Sequence, residues 1–250
     1  MAGPRMPAAG HEAHGRRFGT AADVYDAVRP GYPDALADAI AADGGAVLDL
    51  GAGTGKLTRP LLDRGLEVIA VDPDGQALAR NPARGILGTG ESIPLPESSV
   101  DLVTVAQAWH WLDPERTTAE IARVLCPGGT LWIVLNQLDV RVDWVLRLSR
   151  IMHAGDVYRP HWRPALSPGF GPVEARLDEF TTPVGVNDIV DLASTRSYWL
   201  RSPQPVRDRV AANLRGYFAE EHPVAPGARL ALPYLCLSYR AQRLTDAGSA

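Results

Sequence analysis

The chain has 250 residues, 46% of them hydrophobic and 22% charged, and a formal net charge of −4. A chain of this length buries one sizeable core around one sheet. Its charge excludes a broad basic surface for nucleic-acid backbones, and no apolar run reaches the length of a membrane span. The first residues carry no apolar signal-peptide core, so a cytoplasmic protein without nucleic-acid or membrane partners is expected. Cys126 and Cys236 lie far apart, without metal-ligand or redox spacing, and are expected to be two buried thiols in a reducing compartment.

Residues 1–17, rich in Gly, Pro and Ala and without periodicity, are expected to form a mobile tail. His11 and His14 within it are read as solvated, because a metal needs more ligands on an ordered scaffold. From Phe18 the pattern turns helical: "AADVYDAV" is stopped by "RPGYP", and "DALADAIAA" starts a second helix behind Pro33. "AVLDL" (46–50) reads as a strand that breaks at glycines, and "KLTRPLLDRG" as a helix with Leu57, Leu61 and Leu62 on one face. "EVIAVD" (67–72) is a second strand ending in an acid, and "PDGQALAR" turns into helix. "GILGTG" is a short strand, "VDLVTVAQ" (100–107) another, "PERTTAEIARVL" (114–125) a helix opened by Asp113, and "TLWIVL" (130–135) a fifth strand. Apolar strands alternating with amphipathic helices predict an α/β fold, a Rossmann-like doubly wound sheet, mostly parallel and covered on both faces.

Beyond residue 136 the pattern loosens. "VDWVLRLSRIMHA" reads as helical, but Pro160, Pro164, Pro168 and Pro172 stand four apart, which no continuous helix carries. That stretch is read as a loop or cap over the sheet, part of a substrate-region insert at about 137–172. "VNDIVDLASTRSYWL" and "VRDRVAANLRGYFAEE" read as helices, and "ALPYLCLSY" (231–239) as a closing strand. An insert followed by a final pair of strands is therefore expected to add an edge to the parallel sheet, with the C-terminal strand antiparallel at that edge. Residues 18–250 are read as one domain with a helical cap at 18–43.

Chemistry concentrates in "VLDLGAGTGKLT" (47–58), where Gly51, Gly53 and Gly55 follow a strand ending in an acid. In an open parallel sheet, ligands bind beyond the carboxyl ends of the strands, where the first strand turns into its helix. A phosphate-cradling P-loop fails here twice, lacking its first glycine and the hydroxyl residue after Lys56. A dinucleotide fingerprint would want glycine at Lys56, although Asp72 lies at about the right distance for a ribose contact. A bare strand-to-helix turn accounts for the glycines but not for the acid at the end of the strand. Asp49 would repel a pyrophosphate, yet suits a ligand carrying ammonium and sulfonium charges.

With Asp72, "VLDLGAGTGKLT" resembles the first motif of the class I S-adenosylmethionine-dependent methyltransferases. The resemblance continues through "GTGESIPLPESSVDLVTVAQAWHWLDPERTTAEIARVLCPGGTLWIV" (88–134), and more loosely through "FGTAADVYDAVRPGYP" and "LPYLCLSYRA". It implies that Gly51, Gly53 and Gly55 admit the methionine part of S-adenosyl-L-methionine, with Asp49 nearby. Asp72 would accept from both ribose hydroxyls, against the alternative of a helix N-cap. Pro73 would flank the adenine, and Thr89 or the neighbouring Glu91 would serve its amine, since Thr89 stands where the family often has an acid; Gly90 between them is counted among the cofactor-binding residues. Gln107 would face the amino-acid end of the cofactor.

"AWHW" (108–111) follows the strand expected beside the transferable methyl. Trp109 and Trp111 read equally as acceptor contacts or as core. His110 reads as a general base or as a pocket wall, with the wall favoured. Tyr25 and Arg29 would reach the cofactor carboxylate or an acidic substrate, or Arg29 would pack beneath Tyr32. Substrate choice is placed in this cap and in Tyr158, Trp162 and Arg163. The resulting expectation is methyl transfer to a small-molecule acceptor, on O, N or C, without a metal. The alternatives are a cofactor-binding protein without catalysis and a nicotinamide-dependent oxidoreductase. Nucleic-acid methylation is disfavoured by the charge and by "AQAW", which stands where an Asn/Asp-Pro-Pro-aromatic motif would be.

Overall fold

The structure is a computed structural model that describes residues 27–154, 158 and 161–245. The expected tail, Tyr25 and most of the helix "AADVYDAV" lie outside the described residues; Ala27 and Val28 are helical. Seven strands, β1 (Ala46–Leu50), β2 (Glu67–Asp72), β3 (Arg84–Leu87), β4 (Val100–Ala106), β5 (Leu125–Leu138), β6 (Glu174–Val184) and β7 (Leu230–Gln242), make one sheet. Their order is β3-β2-β1-β4-β5-β7-β6. The first five run parallel, and β7 is antiparallel to both its neighbours. The chain winds outward from β1 to β3, then returns to start again at β4, so a topological switch lies between β1 and β4.

Alternation along the strands explains the covering layers. Val47 in β1 and Trp132 and Val134 in β5 face one apolar cluster, shared with Leu36, Ile40 and Leu61. Leu48 and Leu50, with Leu131, Ile133 and Leu135, face the other, which holds Ile121 and Tyr239. Both faces are buried, which is why β1 and β2 read as near-continuous apolar runs. The helices are α1 (Asp34–Ala41), α2 (Thr58–Leu62), α3 (Gly75–Leu78), α4 (Pro114–Val124), α5 (Asp143–Ile151), α6 (Val186–Ser194), α7 (Ser197–Arg201) and α8 (Gln204–Gly216). A third cluster joins α5, α6 and α8 through Val145, Leu148, Ile189 and Leu214. No helix among the described residues is long and apolar enough to cross a membrane.

β1 and β2 fall where their sequences place them, and α4 opens as expected, with the Asp113 carboxylate accepting from the amides of Glu115 and Arg116 at 3.0 and 3.2 Å. Four expectations are corrected. The helix after the glycines begins only at Thr58, because the glycine turn extends through Leu57. "VNDIVDLASTRSYWL" breaks into α6 and α7 at Thr195 and Arg196. The final pair of strands is present, but its first member is β6, "EARLDEFTTPV", a stretch with no strand assigned from the sequence; it takes the sheet edge, so the antiparallel C-terminal strand sits one position inside it. Cys236 is buried, but Cys126 is only half-buried.

The loop after α1 is tied to the sheet through Asp43. Its carboxylate accepts from the Trp132 indole at 2.7 Å and from Arg240 at 2.8 and 3.0 Å, joining α1 to β5 and β7. Asp43→Ala leaves the indole of the buried Trp132 and the half-buried Arg240 guanidinium without this acceptor, and should lower the unfolding free energy by about 1.5–3 kcal/mol. Urea denaturation checks this; a change within about 0.5 kcal/mol, typical of an ordinary surface substitution, would show that the linkage contributes nothing.

Candidate active site

The carboxyl end of β1 carries a buried acid. Asp49 is 1% exposed, and the hydroxyls of Thr58 and Thr104 donate to its two oxygens at 2.6 and 2.8 Å. Thr104 is its register partner on β4, and Thr58 opens α2, so one carboxylate joins three elements at the switch point. Burial, the largest cause, raises its pKa from 3.8 to about 6; the threonine hydroxyls oppose that rise and the Asp72 charge adds to it. Both hydroxyls stabilise the ionised form, yet desolvation wins.

The glycine turn wraps around this acid. Gly51, with φ +70°, donates to Val71 O at 2.7 Å, and a Cβ there would stand 2.5 Å from Ala108 Cβ, so only glycine lets the two turns meet. Gly53, with φ +51°, has nothing within 4 Å of a would-be Cβ and faces open space. Gly55 packs against Pro82 instead. The Gly53 amide donates to Asp72 Oδ2 at 2.9 Å, and Asp72 Oδ1 accepts from the Asp74 amide at 2.8 Å. Burial pushes the Asp72 carboxyl up, with the two amides opposing. The N-cap alternative for Asp72 is ruled out: α3 is capped by Asp74, which accepts from Gln76 and Ala77.

Two cavities open at this end of the sheet. The larger, about 520 Å³, is lined by Asp49, Gly51, Gly53, Thr54, Lys56 and Gln107, among others. The second, about 470 Å³, is lined by Asn136, Gln137, Leu138, Leu192, Arg196 and Tyr234, among others. Arg29, Pro30 and Gln107 line both and form their common wall. Lys56 Nζ donates to Arg29 O at 2.9 Å and Asn136 Nδ2 to Gly31 O at 2.8 Å, holding the segment in place from both sides. Arg29 itself is anchored from α6, its Nε donating to Thr195 Oγ1 at 2.9 Å and its Nη2 to Thr195 O at 3.1 Å. Gln107 takes φ +57°, uncommon for a side-chain-bearing residue, and its amide donates to Asn136 O at 2.7 Å.

The structure thus brings Arg29, Asp49, Gly51, Gly53 and Gln107 together. Asp72, Pro73, Thr89, Gly90 and Glu91 sit beyond the lining of the larger cavity. Pro73 is exposed, Thr89 bridges to Ser92, and Gly90 packs against Leu112 and Thr117. Glu91 accepts from the Asp113 amide at 2.9 Å, at the start of α4. Trp109 is 4% exposed within the core, because "WHW" forms a 3₁₀ turn that folds its first ring inward. Trp111 is half-buried against the His110 ring at 4.8 Å. His110 exposes surface to solvent, yet protein mass around it and then the Arg29 cation lower its pKa from 6.5 to about 4. Tyr158 and Trp162 pack edge to face, Trp162 against Tyr239, with Arg163 over the Tyr239 ring. None of His110, Trp109, Trp111, Tyr158, Trp162 and Arg163 lines either cavity.

Sequence reasoning missed Thr58, Thr104, Lys56, Asn136, Arg196 and Tyr234. Thr104 and Asn136 were findable: each stands two residues before the carboxyl end of an inner strand, near where this fold places ligands.

A doubly wound sheet with a glycine turn and a buried acid at its switch point is the architecture of folds whose ligand sites lie at the carboxyl edge of the sheet. The profile of the methyltransferase domain family matches residues 48–133. An uncharacterized methyltransferase of Mycobacterium tuberculosis (strain H37Rv) is 43% identical over 231 residues, covering 90% of this chain and 94% of the relative. An uncharacterized methyltransferase-like protein of Schizosaccharomyces pombe is 33% identical over 216 residues, covering 80% and 84%. Among solved structures, a protein of Anaeromyxobacter dehalogenans described as a type II methyltransferase matches with TM-score 0.59 and 25% identity, over 87% of this chain and 99% of that one. The [4+2]-cyclase SpnF matches with TM-score 0.54 and 18% identity over 98% and 99%, a likeness of fold. The chain belongs to the class I S-adenosylmethionine-dependent methyltransferases, and is a methyl-transferring enzyme rather than a nicotinamide-dependent oxidoreductase.

The raised pKa of Asp49 has a stability signature. Its folded value lies above its unfolded one, so the folded state holds the extra proton between pH 3.8 and about 6, and its contribution to stability falls as pH rises through that window. Ionising this buried group costs on the order of 3 kcal/mol. Asp49→Asn removes the titration, so the stability of the variant relative to the parent should rise by a few kcal/mol between about pH 4 and pH 7.5. Urea unfolding at both pH values checks this; a constant difference would contradict the shifted pKa.

Proposed function

We propose that the larger cavity holds S-adenosyl-L-methionine and the second holds a small-molecule acceptor, residues 18–250 acting as one methyltransferase domain. The observation that carries this reading is the contiguity of the two cavities across Gln107 and Arg29, one against the glycine turn and the other beside it. The residues suit the cofactor. Gly53 leaves open space where its backbone meets the cavity, and Asp49 supplies the one carboxylate in the described lining. Asp72, just beyond that lining, is the candidate acceptor for the ribose hydroxyls, with its carboxylate already oriented by two amides.

When bound, S-adenosyl-L-methionine supplies an electrophilic methyl on a sulfonium. Asp49, ionised above pH 6 at a cost to the folded state, stabilises positive charge in the cavity. Gln107, fixed by Asn136, sets the wall across which donor and acceptor meet. No Asp, Glu or His is among the described residues lining the second cavity, so the chain acts there by positioning. Holding reactants in line supplies up to roughly 7–11 kcal/mol of barrier reduction.

Two experiments test this reading. Calorimetric titration with S-adenosylhomocysteine should show binding, and Asp72→Ala should weaken it about ten- to a hundredfold, the loss of a charged hydrogen-bond acceptor; no binding by the parent would overturn the cofactor assignment, and unchanged affinity in the variant would remove Asp72 from the site. His110, with its pKa held down to about 4, is neutral near pH 7 and a weak base. His110→Asn should therefore cost under about tenfold in kcat, where a general base contributes about 10²–10⁴. A hundredfold loss at unchanged cofactor affinity would make His110 the proton acceptor.

A further inference from the structure

Two residues lining the second cavity carry polar atoms that the described protein leaves open. Tyr234, on β7 opposite Leu138, is 3% exposed and stacks its ring on Phe180. Among the described residues its hydroxyl makes no hydrogen bond, yet it keeps accessible surface. Gln107 is the other. Its Nε2 donates to Asn136 O, a carbonyl that only accepts, so the orientation of the amide is fixed and Oε1 is the end left over. That oxygen accepts no hydrogen bond from the described residues and is not sealed from solvent, and it belongs to a residue lining both cavities. Leu138, Val140, Ala154 and Leu192 supply apolar wall. The Arg29 and Arg196 guanidiniums are held by protein groups, Thr195 and Ala154 among them, and act on Tyr234 through their charge.

These atoms select a nucleophile by its hydrogens and by its charge. An amide oxygen only accepts, so Gln107 Oε1 suits an N–H or O–H and repels the lone pairs of a carboxylate or a phenolate. Burial disfavours charge: it pushes the Tyr234 phenol up although both cations oppose the rise, so a phenol bound beside Tyr234 stays protonated. A protonated phenol needs a base to react with a methyl donor, and no Asp, Glu or His is among the described residues lining this cavity. The same burial keeps an amine neutral, with its lone pair free to attack. An aromatic amine is already neutral at pH 7, and its ring suits the apolar wall.

Resting on the assignment of this cavity to the acceptor, we infer that the acceptor is an aromatic amine, with one N–H given to Gln107 Oε1 and an oxygen on the ring frame accepting from the Tyr234 hydroxyl. The nitrogen lone pair forms the N–C bond to the methyl as the C–S bond breaks, and the electron pair of that bond leaves with the sulfur of S-adenosylhomocysteine. The nitrogen keeps its hydrogens during the transfer, takes on the positive charge that the sulfonium loses, and then releases one proton to water. The hydrogen bond to Gln107 Oε1 strengthens as that charge grows, which stabilises the transition state more than the ground state. Gln107 positions the nucleophile, and Tyr234 determines specificity.

The test uses the full chain saturated with S-adenosylhomocysteine. The probes are aromatic amines, phenols and aromatic acids of one and two rings, matched in frame, each with and without a methoxy group. Binding is read by calorimetry and by the shift in melting temperature, and methyl transfer from S-adenosyl-L-methionine by mass spectrometry of the product. At least one amine should bind about tenfold or more tightly than its matched acid, the effect of one charged group left unpaired. Methyl should pass to that amine and not to its phenol, at a rate that stays level between pH 7 and pH 9. The methoxy group should tighten amine binding about two- to tenfold, as one hydrogen bond does, and Tyr234→Phe should abolish that gain while leaving S-adenosylhomocysteine affinity within about twofold. Gln107→Asn keeps an amide and tolerates the backbone angle but withdraws the oxygen, and should lower kcat for the amine about tenfold. Equal weakening of both amines by Tyr234→Phe would make the tyrosine structural and overturn its role, as unchanged kcat in Gln107→Asn would overturn that of the glutamine. If the parent binds S-adenosylhomocysteine but no amine, prefers the acids, methylates the phenols faster, or speeds up steeply toward pH 9, the aromatic-amine acceptor is overturned and the cofactor reading stands. If S-adenosylhomocysteine itself does not bind, the cofactor reading fails first; a methoxy-dependent preference for amines that vanishes in Tyr234→Phe then still supports the amine receptor, and its absence overturns that as well.

Discussion

The site hangs on a charge placed where the fold least tolerates it. Asp49 stands next to the carboxyl end of β1, an inner strand whose neighbours bury it almost completely, and among the described residues the hydroxyls of Thr58 and Thr104 keep its oxygens bonded. Those two bonds do structural work, holding β1 to β4 and to the start of α2. They do not cancel the desolvation, which is why burial raises the carboxyl's pKa from 3.8 to about 6. An acid that destabilises the folded state and sits at the wall of a cavity has the character of a group retained for a positively charged ligand. The glycine turn follows from the same constraint. The chain must leave β1 and double back within reach of β2 and β4, and Gly51 brings it against Ala108 with no room for a Cβ.

From that point the rest of the site is assembled by a small set of cross-links. Gly53 N–H to Asp72 ties the turn to β2, Lys56 ties it to the N-terminal segment, and Asn136 ties that segment to β5. Gln107 is held in a strained backbone conformation by its bond to the same Asn136 residue. The common wall between the two cavities is therefore braced from both sides, which is the form of pre-organisation that in-line transfer requires. The π turn Tyr217–Glu221 and the helices α5, α6 and α8 form a separate apolar cluster that carries Thr195 and Arg196 to the cavity rim.

Much of this was legible in the sequence where the signal was local. β1 and β2 are short apolar runs closed by an acid and a turn, α4 carries its own cap and a proline start, and the glycine motif occupies one continuous stretch. β6 was illegible because it is an edge strand with both faces partly exposed, so Leu177 and Phe180 stand among charges rather than in an apolar run. Trp109 could not be assigned from composition, since only the 3₁₀ turn decides which of its two tryptophans points inward. The second cavity was hidden for a topological reason. Arg29, Asn136, Arg196 and Tyr234 come from four distant segments, and nothing in any one of them announces a ligand.

In the proposed function, Asp49 carries a costly charge that is held for a cationic ligand. The most direct measurement is the pKa of this one carboxyl by carbon NMR, in the protein alone and with S-adenosyl-L-methionine bound. A value near 6 is expected in the protein alone, with a clear fall on binding, because a nearby positive charge favours the ionised form. An ordinary carboxylate value in the protein alone, or a value that does not move on binding, would contradict it.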